Sequence, residues 1–410
     1  MSGDFDTLEK WIDCAVPQMA ELQKLLTSHK AIAPESGGDG ELEKCLALES
    51  WLKSRGITAL ERLDAPDSRV SGGVRPNLLA TIPGKEKTAL WVMAHLDVVP
   101  EGELSLWTGD PWTVREKDGK LIGRGVEDNQ QGLVSAVFAA LAFLKTGIVP
   151  EHTIKLLFVA DEEVGSEYGV KYLLSHHDLF HTEDLIIVPD GGDPTGETIE
   201  TAEKNLLWLK ITVTGKQSHG SRPDLGNNAH LAGAALALSL NNMERFFVNR
   251  DELFDPPYST FQPTKKETNV PNINTIPGED VFYMDCRILP CYPLSEIWKE
   301  IQNRVMAIEE KYNVKAALSE AQASESPATP VTSPVVAALK EAIKKVYAVN
   351  AQPVGIGGGT VAAPLRRLGF NAAVWSRLDG CAHQPDEFCR LENLAGDAKV
   401  FAAIAAEAEQ

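Results

Sequence analysis

Apolar residues recur at helical spacing over positions 8–26 and again over 42–52, so the chain opens on two helices. Short continuous apolar runs follow at 88–94, 153–160 and 184–188, and these read as buried strands. Helical stretches at 132–144 and roughly 168–175 separate them. Apolar strands alternating with helices predict an α/β fold, a mainly parallel sheet covered by helices on both faces. Such sheets bind ligands beyond the carboxyl ends of their strands. His95, Glu162-Glu163 and Asp190 each directly follow a strand, so all three groups are expected on one edge.

From about Leu206 the period changes. Positions 206–213 alternate like a strand exposed on one face, and 228–240 form an apolar helix. Strand-like pieces near Thr260 and at 281–288, an amphipathic helix at 294–312 and a strand near Val314 complete a β-α-β-β-α-β unit. Ser324 to Pro330 reads as a return linker. A helix at 335–346, a glycine-rich turn, a helix, a strand at 372–376 and a terminal helix resume the first pattern. The expected organisation is a discontinuous catalytic domain, 1–205 with 323–410, interrupted by a smaller α+β domain at 206–322.

Composition narrows the partners. The formal charge of −19, from 39 basic and 58 acidic residues, argues against nucleic acid or an anionic membrane. An anionic substrate therefore needs a local pocket with a metal or a placed arginine. The start lacks a basic segment followed by an apolar stretch, and no segment has the length of a spanning helix. Cys14, Cys45, Cys286, Cys291, Cys381 and Cys389 show no paired CxxC spacing and read as reduced structural thiols of a cytoplasmic protein. Cys381 lies two residues before His383 but is assigned the same structural role.

Five segments carry candidate chemistry: His95-Leu96-Asp97, Glu127-Asp128, Asp161-Glu162-Glu163, Asp190 and His383. Carboxylates and imidazoles are ligands that zinc and similar divalent ions accept without a thiolate. Residues i and i+2 of a strand share a side, so His95 can bind metal while Asp97 hydrogen-bonds its ring and fixes the tautomer. Asp128 either caps the following helix or bridges two ions with its two oxygens. Three adjacent carboxylates at a strand end are costly without metal or cations, and neighbouring side chains diverge. Glu163 is accordingly assigned as ligand and Glu162 as general base and acid. Taken singly, Asp190 is a turn residue and His383 a loop histidine.

The whole set resembles the co-catalytic zinc amidohydrolases and exopeptidases, among them succinyl-diaminopimelate desuccinylase, acetylornithine deacetylase, aminoacylase, carboxypeptidase G and the carnosinase-type dipeptidases. The resemblance runs from Leu78 to Leu394. It rests on His95-Leu-Asp-Val-Val-Pro100, Gly123-Arg-Gly-Val-Glu-Asp128, Asp161-Glu-Glu163, Pro189-Asp190 and Ala382-His-Gln-Pro-Asp-Glu387. It implies the zinc exopeptidase fold, with the inserted domain as lid and homodimer contact. It also implies two divalent ions, zinc before cobalt or manganese: His95 and Asp190 on one, Glu163 and His383 on the other, Asp128 between them. A cis peptide after Asp128 belongs to the same pattern.

Further matches carry substrate roles. Gly215-Lys-Gln-Ser-His219 resembles the segment whose histidine stabilises the tetrahedral oxyanion. Asn274-Thr-Ile-Pro277 and Met284-Asp-Cys-Arg287 resemble the pair that holds the substrate carboxylate, and Gly357-Gly-Gly-Thr360 a substrate loop with Gly359 and Thr360. Read without the resemblance, Arg287 is a strand-edge charge and His219 an ordinary loop residue. The chain departs from the pattern at Asn129-Gln-Gln131, where many relatives carry a lysine, and at Val361-Ala-Ala363, where several deacylases carry Asp and Arg. Both departures bear on the substrate.

The leading expectation is hydrolysis of the amide bond in a small N-acyl amino acid, as in desuccinylases and deacetylases. Dipeptidase or aminopeptidase activity is the alternative, favoured by Asp rather than Glu at 190. A non-catalytic metal-dependent binder and a two-metal phosphoesterase are the other readings. The intact Glu162 argues against the first and the acidic surface against the second.

Overall fold

Trp91 and Met93 face one side of their strand while Leu90, Val92 and Ala94 face the other, and each side is packed into its own core. Period-two side-chain alternation with both faces apolar is what a central strand between two helical layers requires. The computed structural model describes residues 2–407. By contacts the chain forms two compact units: Ala202–Ala328 with Val354–Gly359, and the remaining residues.

In the larger unit the strands Thr153–Val159, Ala89–His95, Leu185–Gly192 and Ala372–Ser376 lie side by side and parallel. They form the centre of an eight-stranded sheet. Leu78–Ile82 and Leu60–Arg62 extend one edge antiparallel, and Thr198–Glu203 runs antiparallel to Ala372–Ser376 before Gln352–Ile356 closes the order. These four outer strands were not expected. Leu78–Ile82 is a five-residue run, and Thr198–Glu203 hides its glutamates in the interior. Charged residues inside a buried strand defeat an apolar pattern.

One face packs on the helices Ser2–Thr27, Gln130–Thr146, Pro334–Tyr347 and Leu391–Ala406, and the other on Val170–His176 and Ala362–Arg367. Helix Gln130–Thr146 approaches the sheet closely at Gly132. A β-carbon there would lie 2.5 Å from Pro189 Cγ, so only glycine admits this spacing.

The smaller unit is a four-stranded antiparallel sheet in the order Thr260–Lys266, Glu279–Ile288, Asn205–Thr214, Lys315–Ser324. Leu207, Leu209, Ile211 and Val213 alternate inward and meet Leu236 and Leu240 of helix Ala229–Asn241 and Ile297, Ile301 and Val305 of helix Leu294–Tyr312. Trp208, Lys210 and Thr212 take the wetter face. Among the described residues no helix is long and apolar enough to cross a membrane.

Candidate metal centre

Parallel strands deliver their carboxyl ends to one edge, and the sequence places acids and histidines there. His95 is the last residue of its strand, and Glu162-Glu163 begin a short 3-10 turn after Thr153–Val159. Asp190 lies inside Leu185–Gly192, not in a turn beyond it, since that strand continues past Val188. His383 follows Ala372–Ser376 in a loop, with a left-handed φ of 63°.

The side chains converge around Asp128. His95 Nε2 stands 2.9 Å from Asp128 Oδ1 and 3.5 Å from Asp190 Oδ1. His383 Nε2 stands 3.1 Å from Asp128 Oδ2 and 3.1 Å from Glu163 Oε1. Donor atoms sharing one tetrahedral zinc lie about 3.3 Å apart, given ligand bonds of about 2.0 Å. Each oxygen of Asp128 thus stands near a histidine nitrogen at about the spacing that two ligands of one ion require. Candidate ligand groups include His95, Asp128 and Glu163, and also His95, Glu162 and Asp190. No side-chain cap from Asn129 or hydrogen bond from Asp128 opens the helix Gln130–Thr146, so Asp128 is not its cap. The Asp128–Asn129 peptide is cis.

The histidine tautomer suits a ligand. His95 Nδ1 meets the carbonyl oxygen of Asp97 at 2.9 Å. A carbonyl only accepts, so Nδ1 holds a proton, which leaves Nε2 as the nitrogen that would face an ion. The expectation for Asp97 therefore needs correcting: its backbone, not its carboxylate, orients the ring, the carboxylate being 3.5 Å from Nδ1. That carboxylate instead accepts the amides of Glu162 at 3.1 Å and Glu163 at 3.0 Å.

Charge is concentrated here. Burial, opposed in part by His95, raises the Asp190 carboxyl to about 6. Burial first, and then the charge of Asp190, raises Glu162 well above the usual carboxylate range. Hydrogen bonds donated to Asp128 and Glu163 hold the His383 imidazolium, pushing it up to about 10. Asp161 is removed from the crowd, because its Oδ1 lies 3.0 Å from the fully buried Arg75, which also pairs with Glu41.

Sequence reasoning missed three supporting side chains. Asn129 accepts the His95 amide at 3.3 Å and donates to Asp190 Oδ1 at 2.9 Å. Glu387 accepts from the amides of Gly125, Glu127 and Asp128, and Glu127 accepts from those of Asp379, Gly380 and Cys381. Glu127 and Glu387 stood within the matched motifs and Asn129 beside Asp128, but none had been given a supporting role. Gln131 is buried and donates to Ser376 Oγ, the Arg377 carbonyl and Asp397. Gln130, two residues after Asp128 at the departure from the lysine pattern, is buried as well and accepts from Thr27 Oγ1 at 3.1 Å. Cys381 keeps the structural role assigned to it, with its thiol donating to the Phe388 carbonyl at 3.1 Å.

The smaller unit holds the candidates His219, Asn274, Arg287 and Gly359, and the larger unit holds Thr360. His219 lies on a two-residue strand paired with Thr275–Ile276. The Ser221 amide donates to its Nδ1 at 3.2 Å, leaving Nε2 as the protonated donor. Gly220 N–H donates to the Asn274 carbonyl at 2.7 Å. Arg287 binds Asp285 through Nε at 2.7 Å and Nη2 at 3.2 Å, and reaches the Gly357 carbonyl through Nη1 at 2.6 Å. Three of its five N–H donors are engaged and two remain. A β-carbon at Gly359 would meet Glu203 Oε2 at an ordinary 3.7 Å, and Thr360 Oγ1 accepts the Ala362 amide at 3.2 Å.

Residues 91–407 match peptidase family M20/M25/M40. The chain belongs to this family. A metallohydrolase of Methanocaldococcus jannaschii, itself described as uncharacterized, is 40% identical over 94% of this chain and 98% of its own. The succinyl-diaminopimelate desuccinylase of Zymomonas mobilis is 28% identical over 74% of this chain and 76% of its own. In fold, the chain is similar to the di-peptidase Dug1p of Saccharomyces cerevisiae, with a TM-score of 0.74 at 16% identity, covering 99% of this chain and 98% of that one. As an M20/M25/M40 member the chain is a hydrolase of amide or peptide bonds that uses divalent metal, and its oxygen and imidazole donor set fits that requirement.

Proposed function

We propose that this M20/M25/M40 hydrolase binds two divalent ions, zinc by preference and cobalt or manganese as substitutes, and cleaves one amide bond of a small N-acyl amino acid. The sharing of the two Asp128 oxygens between His95 with Asp190 and His383 with Glu163 carries the reading. Bound there, the ions would supply Lewis acidity to the amide oxygen and acidify a water. Glu162 accepts the proton of the attacking water at its carboxylate and returns it to the leaving amine. Asp97 holds the peptide from which Glu162 projects. His219, with Nε2 protonated, donates to the oxyanion. Arg287 would hold the substrate carboxylate with its two remaining N–H groups, and Asn274, Gly359 and Thr360 would each add a substrate contact.

Cleavage of unblocked dipeptides is the second reading, supported by Asp rather than Glu at position 190. Release of free amine from N-succinyl and N-acetyl amino acids and from unblocked dipeptides, each with zinc, cobalt and manganese, separates the two. Turnover confined to substrates with a free N-terminal amine would sink the deacylase reading. Two ions bound without turnover on any substrate would favour a binding protein.

The same reading places the enzyme in the cytoplasm, supported by six unpaired cysteines, and makes it a homodimer through the smaller unit. Leu231 and Leu238, exposed and seven residues apart on helix Ala229–Asn241, share a face suited to a second copy. Sedimentation equilibrium of the wild type and of Leu238→Glu tests that pairing, and a monomeric wild type would refute it.

A further inference from the structure

Glu127 stands next to the proposed bridging residue, and its carboxylate is nevertheless turned to backbone. Oε1 accepts the amides of Asp379 at 2.6 Å and Gly380 at 3.2 Å, and Oε2 accepts the amide of Cys381 at 2.6 Å. With both oxygens occupied by N–H groups, Glu127 is not itself placed as a ligand. The three amides lead directly into His383, whose side chain is 53% exposed. A half-exposed imidazole gains little from packing, so its position comes from the backbone that carries it. Glu387 closes the link from the other side: four residues beyond His383, it accepts the amides of Gly125, Glu127 and Asp128. Each loop therefore grips the other through a buried carboxylate.

We propose that Glu127 is the positioning residue that sets His383 against Asp128 Oδ2 and Glu163, and so tunes that half of the metal centre alone. The other half has its own brace, Asn129, which ties His95 to Asp190. The residues on either side of Asp128 thus serve different halves. Only a carboxylate fits at 127, because three donors converge on two acceptor oxygens. Glutamine would turn an amino group against an N–H.

This inference rests on the two-ion reading. Its test is calorimetric titration of the metal-stripped full chain with zinc, using wild type, Glu127→Gln, Glu127→Ala, His383→Ala and the double variant Glu127→Gln/His383→Ala. Loss of a residue that orients a metal ligand costs about 10- to 100-fold in affinity. The expected result is that weakening for one ion in Glu127→Gln and Glu127→Ala, with the other ion unchanged. In the His383→Ala background, Glu127→Gln should change nothing further. A shifted visible absorption spectrum of the cobalt form should accompany the loss. Unaltered binding of both ions in a folded Glu127→Gln would overturn the inference, as would equal weakening with and without His383. Failure of both Glu127 variants to fold would overturn it too, making Glu127 a residue of the fold. A wild type that takes fewer than two ions would instead bring down the two-ion reading itself.

Discussion

Glu387→Leu removes a buried carboxylate that accepts the amides of Gly125 at 3.1 Å, Glu127 at 3.0 Å and Asp128 at 3.1 Å, and Arg124 Nη1 at 2.6 Å. Burial raises this carboxyl to about 7, so the four donors offset a desolvation cost that would otherwise neutralise it. Breaking a buried ion pair from one side costs about 3–5 kcal/mol. Arg124→Met should therefore lose about 3 kcal/mol, the low end of that range, and Glu387→Leu about 5 kcal/mol, the high end, because it strips the amides as well. The informative protein is the double variant. A buried pair exchanged whole for apolar side chains is often neutral, so a Glu387 that served only Arg124 would be rescued in Arg124→Met/Glu387→Leu. Three orphaned amides at about 1 kcal/mol each keep the double variant about 3 kcal/mol below wild type. Urea unfolding of the metal-stripped proteins, followed by tryptophan fluorescence, measures this without added stabilisation from bound ions. A double variant within about 1 kcal/mol of wild type would refute the reasoning, since that gap is smaller than the loss of three hydrogen bonds.

Three further outcomes are expected. Glu162→Gln should lower kcat by about 10²- to 10⁴-fold while metal content by plasma emission stays at the wild-type level; an unimpaired rate would remove Glu162 from proton transfer. Arg287→Lys should raise KM about 10-fold or more by losing a forked contact to the substrate carboxylate, and steady-state kinetics showing an unchanged KM would reassign the side chain to its Asp285 and Gly357 contacts. Gly132→Ala drives a β-carbon to 2.5 Å from Pro189 and should cost about 1–3 kcal/mol in urea unfolding. Unaltered stability there would show that the helix yields without strain.

The central strands and the clustering of the candidate ligands were legible because their signals are local. Apolar runs that end in His95 or in Asp161-Glu162-Glu163 announce both a buried strand and a costly terminus. The supporting contacts were not legible: Glu127 and Glu387 stood in the matched motifs and Asn129 beside Asp128, but their partners appear only where the loops meet. Glu127 and Cys381 bond across 254 positions of chain, a separation that no periodicity reports. The edge strands escaped for a different reason: Glu200 and Glu203 lie buried in Thr198–Glu203, where a pattern reading expects apolar side chains. Asp97 was read as orienting the ring through its carboxylate, whereas its carbonyl makes the shorter contact to Nδ1, because the sequence does not say whether side chain or carbonyl faces the ring.

That partner has a consequence for how the enzyme can change. Asp97 grips the Glu162 and Glu163 amides together, so the proposed proton carrier and a proposed metal ligand ride on one short stretch of backbone held by the same carboxylate. A substitution that loosens this anchor shifts the two in concert. Acid–base competence and metal retention are thereby inherited as one trait: descendants of this sequence that abandon catalysis by losing Asp97 would also surrender part of their hold on metal. A binding protein derived from it would have to begin by changing Glu162 itself.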